Sequence, residues 1–359
     1  MTAGVANWFD KRRASAMTIP GQTVTGADDV CLFAHFDRDD RVDDHVFCYL
    51  EALQTAGFRI VFVTASQISS SDRQRLAPVC DDVIARENRG LDFGSWSEAY
   101  RRHRGSIKGR LLLTNDSVYG PIGNLGLTLQ RLLAVPADVY GLIECNLTAP
   151  HLQSWFLLLE NRVAQGDVFA AVMSQPFAQM TKPDIVVAGE IELSRRLVAA
   201  GYRLRALSKA GSGGPLSRLF PIHPMHPLWR EMIQGEGVPF LKVELLRDNP
   251  TAVADLVDVP AVVSSHAPDL VPMIERHQAR TRRAHVAIEG STLRRRGYRI
   301  RAWFARHEYR LMRSGRVTES YLAAAAFLLL AVPYRLVRGQ RPDGRPWRRQ
   351  RGADDKCNP

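Results

Sequence analysis

Four short apolar runs, separated by polar stretches of helix length, constrain this chain more than anything else in it. Val30 to Phe36 (VCLFAHF), Phe58 to Thr64 (FRIVFVT), Asp82 to Ala85 (DVIA) and Leu111 to Thr114 (LLLT) have the length of strands. They are nearly continuous in apolar residues instead of alternating, which marks strands buried on both faces, as in parallel sheets. Between the first two, Asp43 or Asp44 can cap a helix that turns Val46, Phe47, Leu50 and Leu53 to one side and stops at Gly57. A short helix to Ala77 and another from Ser95 to Arg102 fill the next gaps. Strands alternating with helices predict right-handed βαβ crossovers and an α/β fold with a mostly parallel central sheet. Downstream, Leu125 to Leu133 predicts a helix and Val139 to Ile143 a strand, and His151 to Leu159 is an apolar run with a polar entry. Gly189 to Ala200 predicts an amphipathic helix closed by Gly201, Tyr202 to Leu207 a last strand, and Ala252 to Leu256 a helix.

Charge divides the 359 residues unevenly. Residues 291–359 hold 17 Arg and Lys against 5 Asp and Glu, a net +12, while the other 290 residues carry 31 basic and 32 acidic groups. The body is neutral and the tail is basic. With the lack of periodicity before Ala27 and the glycine-serine stretch Ala210 to Gly214, this suggests a loose extension over 1–27, an α/β part over 28–215, its C-terminal continuation over 216–290, and a basic tail over 291–359. In the tail, Arg294, Arg295, Arg296, Arg299, Arg301, Arg306, Arg310 and Arg313 alternate with Tyr298, Trp303, Phe304 and Tyr309. Tyr321 to Tyr334 then carries no charge, and at 14 residues it falls short of the ~20 that span a bilayer. A basic helix, an apolar run and a basic end are the layout of an interfacial anchor on the cytoplasmic leaflet. A core helix with a solvated basic end has the same pattern. RNA binding rests on the tail alone and is not expected. Met1 to Arg13 holds no apolar leader run, and Cys31, Cys48, Cys80, Cys145 and Cys357 form no C-x-x-C pair. Reduced thiols in a cytoplasmic protein are the expectation.

The stretch Arg86 to Pro121 carries the chemistry. A loop, RENRGLDFG, holds Gly90, Asp92 and Gly94, and the fourth apolar run ends in Asn115-Asp116-Ser117. In open α/β sheets ligands bind beyond the carboxyl ends of strands. An acid there either faces a ligand or caps the turn after a buried strand. Sugar transfer from a nucleotide donor needs an acid that holds a divalent cation near the diphosphate. It also needs a second carboxylate to take the proton of the attacking hydroxyl.

The ordered motifs CLFAHFD, RENRGLDFGSW, LLLTNDSVYGP, HLQSWF, GEIELSRRLVAAGYR and FLKVELLRDNP, from Cys31 to Pro250, resemble the rhamnan synthesis protein F family. The resemblance implies a GT-A-like fold and glycosyl transfer, typically rhamnosyl, onto a bacterial surface polysaccharide. A more distant resemblance is to the GT-A family of cellulose and hyaluronan synthases, in which N-x-G precedes a strand ending D-x-D and a helix begins E-D-x-[DE]-L-S-x-R. Here Asn88-Arg89-Gly90, Asn115-Asp116-Ser117 and Gly189-Glu190-Ile191-Glu192-Leu193-Ser194-Arg195-Arg196 take those places. Carried over residue by residue, Glu190 is the base, and Asp116 is the ligand of Mg2+ or Mn2+. Asp37, Asn88, Gly90, Asp92 and Asn115 line the donor, which is expected to be dTDP-L-rhamnose. His151, Gln153, Ser154, Glu192 and Lys242 are expected on the acceptor side, facing a lipid-linked glycan.

Each assignment has a plainer counterpart. Asp37 can cap a helix, Asp92 can order its loop, and Glu190 and Glu192 can simply favour a helix N-terminus. His151 and Gln153 can satisfy backbone, and Lys242 can be surface charge. Trp155 and Phe156 are expected in the core, and His223 and His226 in a proline-rich turn. N-D-S keeps one carboxylate where the pattern has two, and G-E replaces E-D. The expectation is an inverting glycosyltransferase attached peripherally to the inner face of the cytoplasmic membrane. The alternative is a degenerate scaffold that binds glycan or partner enzymes without turnover.

Overall fold

The computed structural model describes residues 26, 28–210, 214–219, 221–281 and 292–337. Most of the expected 1–27 extension and Cys357 lie outside them.

The sheet is built on β1 (Val30–His35), a strand whose six residues are all buried. It pairs in parallel with β2 (Arg59–Thr64) on one side and β4 (Leu111–Asn115) on the other. Beyond β2 lies β3 (Asp82–Ala85), again parallel. The first four apolar runs are thus the parallel half of the sheet, in the order β3-β2-β1-β4. Past β4 the sheet turns mixed. β8 (Phe156–Leu159) runs antiparallel to both β4 and β6 (Val139–Cys145), and β9 (Leu204–Ser208) joins β6 in parallel. β7 (His151–Leu152) adds a short antiparallel ladder to β6. The expected run His151 to Leu159 is therefore two strands, broken at Gln153-Ser154-Trp155, where polar groups turn towards the candidate site. A separate two-stranded ladder joins β5 (Val118–Tyr119) to β10 (Leu241–Lys242), which sets Lys242 beside the N-D-S tip.

Alternate residues of β1 face two cores. Cys31 and Phe33 pack with α1 (Asp44–Thr55) and α4 (Leu125–Leu133), while Val30, Leu32 and Ala34 pack with α3 (Leu91–His103). Trp155 and Phe156 are core residues, as expected. α2 (Ser70–Leu76) matches its expected place.

Three helices differ from expectation. α3 starts at Leu91, four residues early, so Asp92, Phe93 and Gly94 belong to a helix and not to a loop. The glycines there serve close packing. Gly90 has φ 80°, and a Cβ on it would meet the Phe177 backbone at 2.9 Å; a Cβ on Gly94 would lie 2.3 Å from the Arg89 carbonyl. The expected helix Gly189 to Ala200 is the end of a longer helical run. That run opens at a capping box between Thr181 and Asp184, passes through a π-helical turn (Val186–Ile191) and ends as α5 (Glu192–Ala199). Glu190 therefore lies inside helical structure and not at its start. The segment Ala252 to Leu256 is not α-helical. Ala252 has φ 51°, and the helix begins later, as α6 (Val259–Ser264) after a 3-10 turn. α7 (Leu270–Thr281) packs against α1.

The tail forms two helices, α8 (Thr292–Arg313) and α9 (Val317–Val337), packed on each other. Ala305 and Tyr309 of α8 join the main core. No helix among the described residues is long and apolar enough to cross a membrane.

Candidate functional site

The parallel register of β1 and β4 brings their carboxyl ends level, with Ala34 opposite Asn115. Asp116 follows directly. Its backbone N–H donates to the Ala34 carbonyl (3.2 Å), and its carboxylate accepts from the Phe36 N–H (2.9 Å). The side chain keeps 19% exposure. Burial and the charge of Asp92 push its pKa well above the carboxylate range, more than the Phe36 N–H can offset. His35 lies 3.9 Å away, but burial lowers its pKa to about 4, so it is a neutral neighbour there.

Asp92 arrives from the first turn of α3, behind Gly90 and Leu91, both at positive φ. Leu91 (φ 51°) has a side chain in a region that disfavours one, a local strain next to the acids. The Asn115 amide donates to the Asp92 carboxylate (2.7 Å), and its oxygen accepts from the Ser117 N–H (3.2 Å) and hydroxyl (2.6 Å). Asn115 thus ties Asp92 to the strand end. Burial raises the Asp92 pKa, with Asn115 and Lys242 opposing.

Glu190 completes the group from the π-helical turn. Its carboxylate accepts from His151 Nε2 (3.0 Å) and from the Ser154 hydroxyl. His151 Nδ1 donates to the Ala149 carbonyl (2.7 Å). With an acceptor on each ring nitrogen, His151 is favoured as an imidazolium. Burial pushes its pKa down, but the bond and charge of Glu190 outweigh this and raise it. The converse holds for Glu190, where burial would raise the pKa and His151 and Ser154 bring it below the usual value. Glu190 is ionised at neutral pH with 22% of its side chain exposed. Lys242 lies within electrostatic reach of Glu190 and Asp92, with Nζ 3.3 Å from Ser117 Oγ and 5.0 Å from the centre of the Trp155 ring. Burial lowers its pKa to about 8, against the pull of Glu190, Asp92 and Glu244.

The replacement of E-D by G-E has a packing reason. A Cβ at Gly189 would lie 2.8 Å from the Phe93 ring, so only glycine lets the helical run that carries Glu190 close on α3. Glu190 and Asp92 are brought within electrostatic reach by this contact.

Other expected residues stand apart. Asn88 is exposed, and Gly90 is buried against Phe177. Glu192 pairs with Arg195 and Arg196 on its own helix and does not join Glu190. Gln153 accepts from Trp155 Nε1 (2.6 Å) and donates to His223 (3.1 Å), which bridges the core to the stacked pair His223 and His226. Asp37 is bound by Arg280 through both oxygens (3.0 and 2.6 Å).

That last pair belongs to a second acid group that the sequence did not reveal. Arg280 of α7 also meets Asp39 (2.5 Å) and Asp43, and neighbouring His277 bonds to the Tyr119 hydroxyl (2.6 Å). Among the described residues, Asp37, Asp43 and His277 are the one set of three His, Cys, Asp or Glu side chains with ligand atoms within 4.8 Å of one another. A guanidinium already fills the space between its acids, so this set does not suit a cation. Asp92 and Asp116 lie within electrostatic reach of each other, and this contact adds to burial in raising the Asp116 pKa.

The sequence profile of the rhamnan synthesis protein F family matches residues 60–287. The chain belongs to that family. It is 27% identical over 206 residues to the uncharacterized protein y4gN of Sinorhizobium fredii, covering 55% of this chain and 53% of that one. It is 28% identical over 211 residues to virulence protein VirA of Vibrio anguillarum, covering 50% of this chain and 67% of VirA. The chain thus spans about half the length of the first of these relatives. Distant structural likenesses include a Desulfovibrio desulfuricans G20 protein described as a nucleotide-diphospho-sugar transferase (TM-score 0.36, 10% identity, 70% of this chain and 98% of that one). Another is the inositol-1-phosphate CTP transferase of T. maritima (TM-score 0.34, 12% identity, 51% of this chain and 86% of that one).

Proposed function

We propose that this family member is an inverting glycosyltransferase of GT-A type, moving a sugar, rhamnose by expectation, from a nucleotide-diphosphate donor to a hydroxyl of a surface-glycan acceptor. Membership of the rhamnan synthesis protein F family supports the reaction class. The observation that carries the roles is a partly exposed Glu190, held by His151 and Ser154 within electrostatic reach of Asp92. Glu190 takes the proton of the acceptor hydroxyl. The acceptor oxygen forms its bond to the anomeric carbon from the opposite face as the bond to the diphosphate breaks, and the nucleoside diphosphate leaves. His151 and Ser154 hold the carboxylate in place, and Lys242 offers positive charge to the donor phosphates. A divalent cation held by Asp116 and Asp92 would offset the leaving-group charge.

Glu190→Gln keeps the shape and removes the base. Transfer from a radiolabelled donor panel, dTDP-L-rhamnose included, should fall by roughly 10²–10⁴-fold, while calorimetric donor binding stays. Turnover like the wild type in that variant would remove the assignment. A wild-type chain that neither hydrolyses nor binds any donor would favour the scaffold.

A further inference from the structure

α9 is apolar on every side. From Ser320 to Tyr334 it holds no charged residue. A helix of that kind in water needs cover all round. One face is covered, since Ser320, Ala324 and Phe327 are buried, with Phe327 5.1 Å from the Phe304 ring of α8. The opposite face is open. Tyr321, Leu322, Ala325 and Leu329 form a stripe along it, with Leu322 65% and Leu329 76% exposed. Exposed Trp303 and Ile300 on α8 add to the uncovered apolar surface of the pair. Contiguous apolar surface of this kind marks an interaction site.

The surrounding charge identifies the occupant. Residues 291–359 carry a net +12 on a chain whose remainder is neutral, and Arg310 of α8 and Arg316 in the turn before α9 stand exposed. A second copy would bring +12 against +12 within about a Debye length, ~8 Å at physiological salt. A nucleic acid would suit the charge but not an aliphatic stripe of Leu322, Ala325 and Leu329. An anionic lipid surface suits both, with leucines among the acyl chains, Trp303 at the headgroups and arginines on the phosphates.

We propose that the Tyr321–Leu322–Ala325–Leu329 face of α9 lies in the headgroup boundary of an anionic membrane. The orientation is set by α8, which is bolted to the body. Glu308 accepts from the backbone N–H groups of Leu216 and Ser217, Arg306 donates to Asp255 (2.8 Å), and Tyr309 donates to Glu236 (2.7 Å). The membrane face is thereby fixed relative to Glu190 and not carried on a free tether.

The test is sedimentation of the full chain with phosphatidylglycerol vesicles and with neutral phosphatidylcholine vesicles. The wild type should pellet with the anionic vesicles only, and less so as salt is raised. Leu322→Glu with Leu329→Glu, both at exposed positions, should lower the vesicle affinity by more than roughly tenfold, with thermal stability and donor binding unchanged. Glu190→Gln should pellet like the wild type, which separates this proposal from the catalytic one. Wild-type chain that stays in the supernatant overturns the proposal. So does a double variant that still pellets, which would mean adhesion through charge alone. A wild type that dimerises in lipid-free ultracentrifugation while the double variant does not would assign the stripe to a second copy instead.

Discussion

Two groups of acids meet at the end of β1. Asp37, Asp39 and Asp43 converge on Arg280, which reaches all three. Asp92, Asp116 and Glu190 face one lysine, one histidine and an amide. In the first group a planar guanidinium satisfies the carboxylates in fixed directions, and the result is a clasp that ties α7 to the start of α1. In the second, positive charge is supplied by Lys242, whose own pKa has fallen to about 8, and two of the three acids are held above their ordinary range. Acids gathered by a fold are structural where a cation of the chain fills the space between them. Where charge is left in excess, the stability given up is a sign of a ligand site.

The sharpest way to break the comparison is Arg280→Met. It leaves the first group uncompensated and should cost about 3–5 kcal/mol in chemical denaturation. A loss under 1 kcal/mol would mean the clasp is slack. Gly189→Ala comes next. Its Cβ at 2.8 Å from Phe93 should cost about 1–3 kcal/mol and lower transfer by shifting Glu190. Unchanged stability and rate would show that the two helical segments can separate freely. The smallest effect on stability is Asp92→Asn, which removes one charge of the excess group. Thermal melting at neutral pH should show no loss and a gain of up to about 1 kcal/mol, while Mn2+ binding by calorimetry weakens.

Titration gives Asp37 and the pair Asp92 and Asp116 opposite signs. Burial would raise the Asp37 pKa, but Arg280 and two backbone N–H groups bring it below its ordinary value. Its contribution to stability is present above the unfolded pKa of ~3.9 and is lost as pH falls through the folded one. Asp116 and Asp92 are raised, so the folded chain binds more protons than the unfolded one between ~3.9 and their folded values. Stability from these two declines as pH rises through that window. Proton uptake on unfolding, measured for wild type and for Asp92→Asn, separates the two contributions.

The parallel half of the sheet was readable because its strands are buried on both faces and therefore apolar throughout. DVIA and Leu125 to Leu133 were placed to the residue. The start of α3 was not, because Gly90 and Gly94 look like loop residues when their partners, Phe177 and Arg89, are unknown. The origin of the Glu190 helical run was missed although T-K-P-D carries both a capping box and a proline in its first turn. At the candidate site, Asp116 and Glu190 are singled out by motif position. Asn115 as the partner of Asp92, and Lys242 as the charge within reach of Asp92 and Glu190, depend on pairing across the fold. Arg280 lies 243 residues from Asp37, a separation that no local pattern encodes.

Phe93 touches three parts of the molecule at once. Its ring is 5.1 Å from that of Phe177, which supports Gly90, and 5.1 Å from that of Trp96, while Gly189 is pressed on its far edge. One rigid ring is therefore shared by the start of α3, which carries Asp92, and the turn that carries Glu190. Neither segment can shift far without meeting the other through Phe93, so the spacing of the two acids is set by a single aromatic spacer.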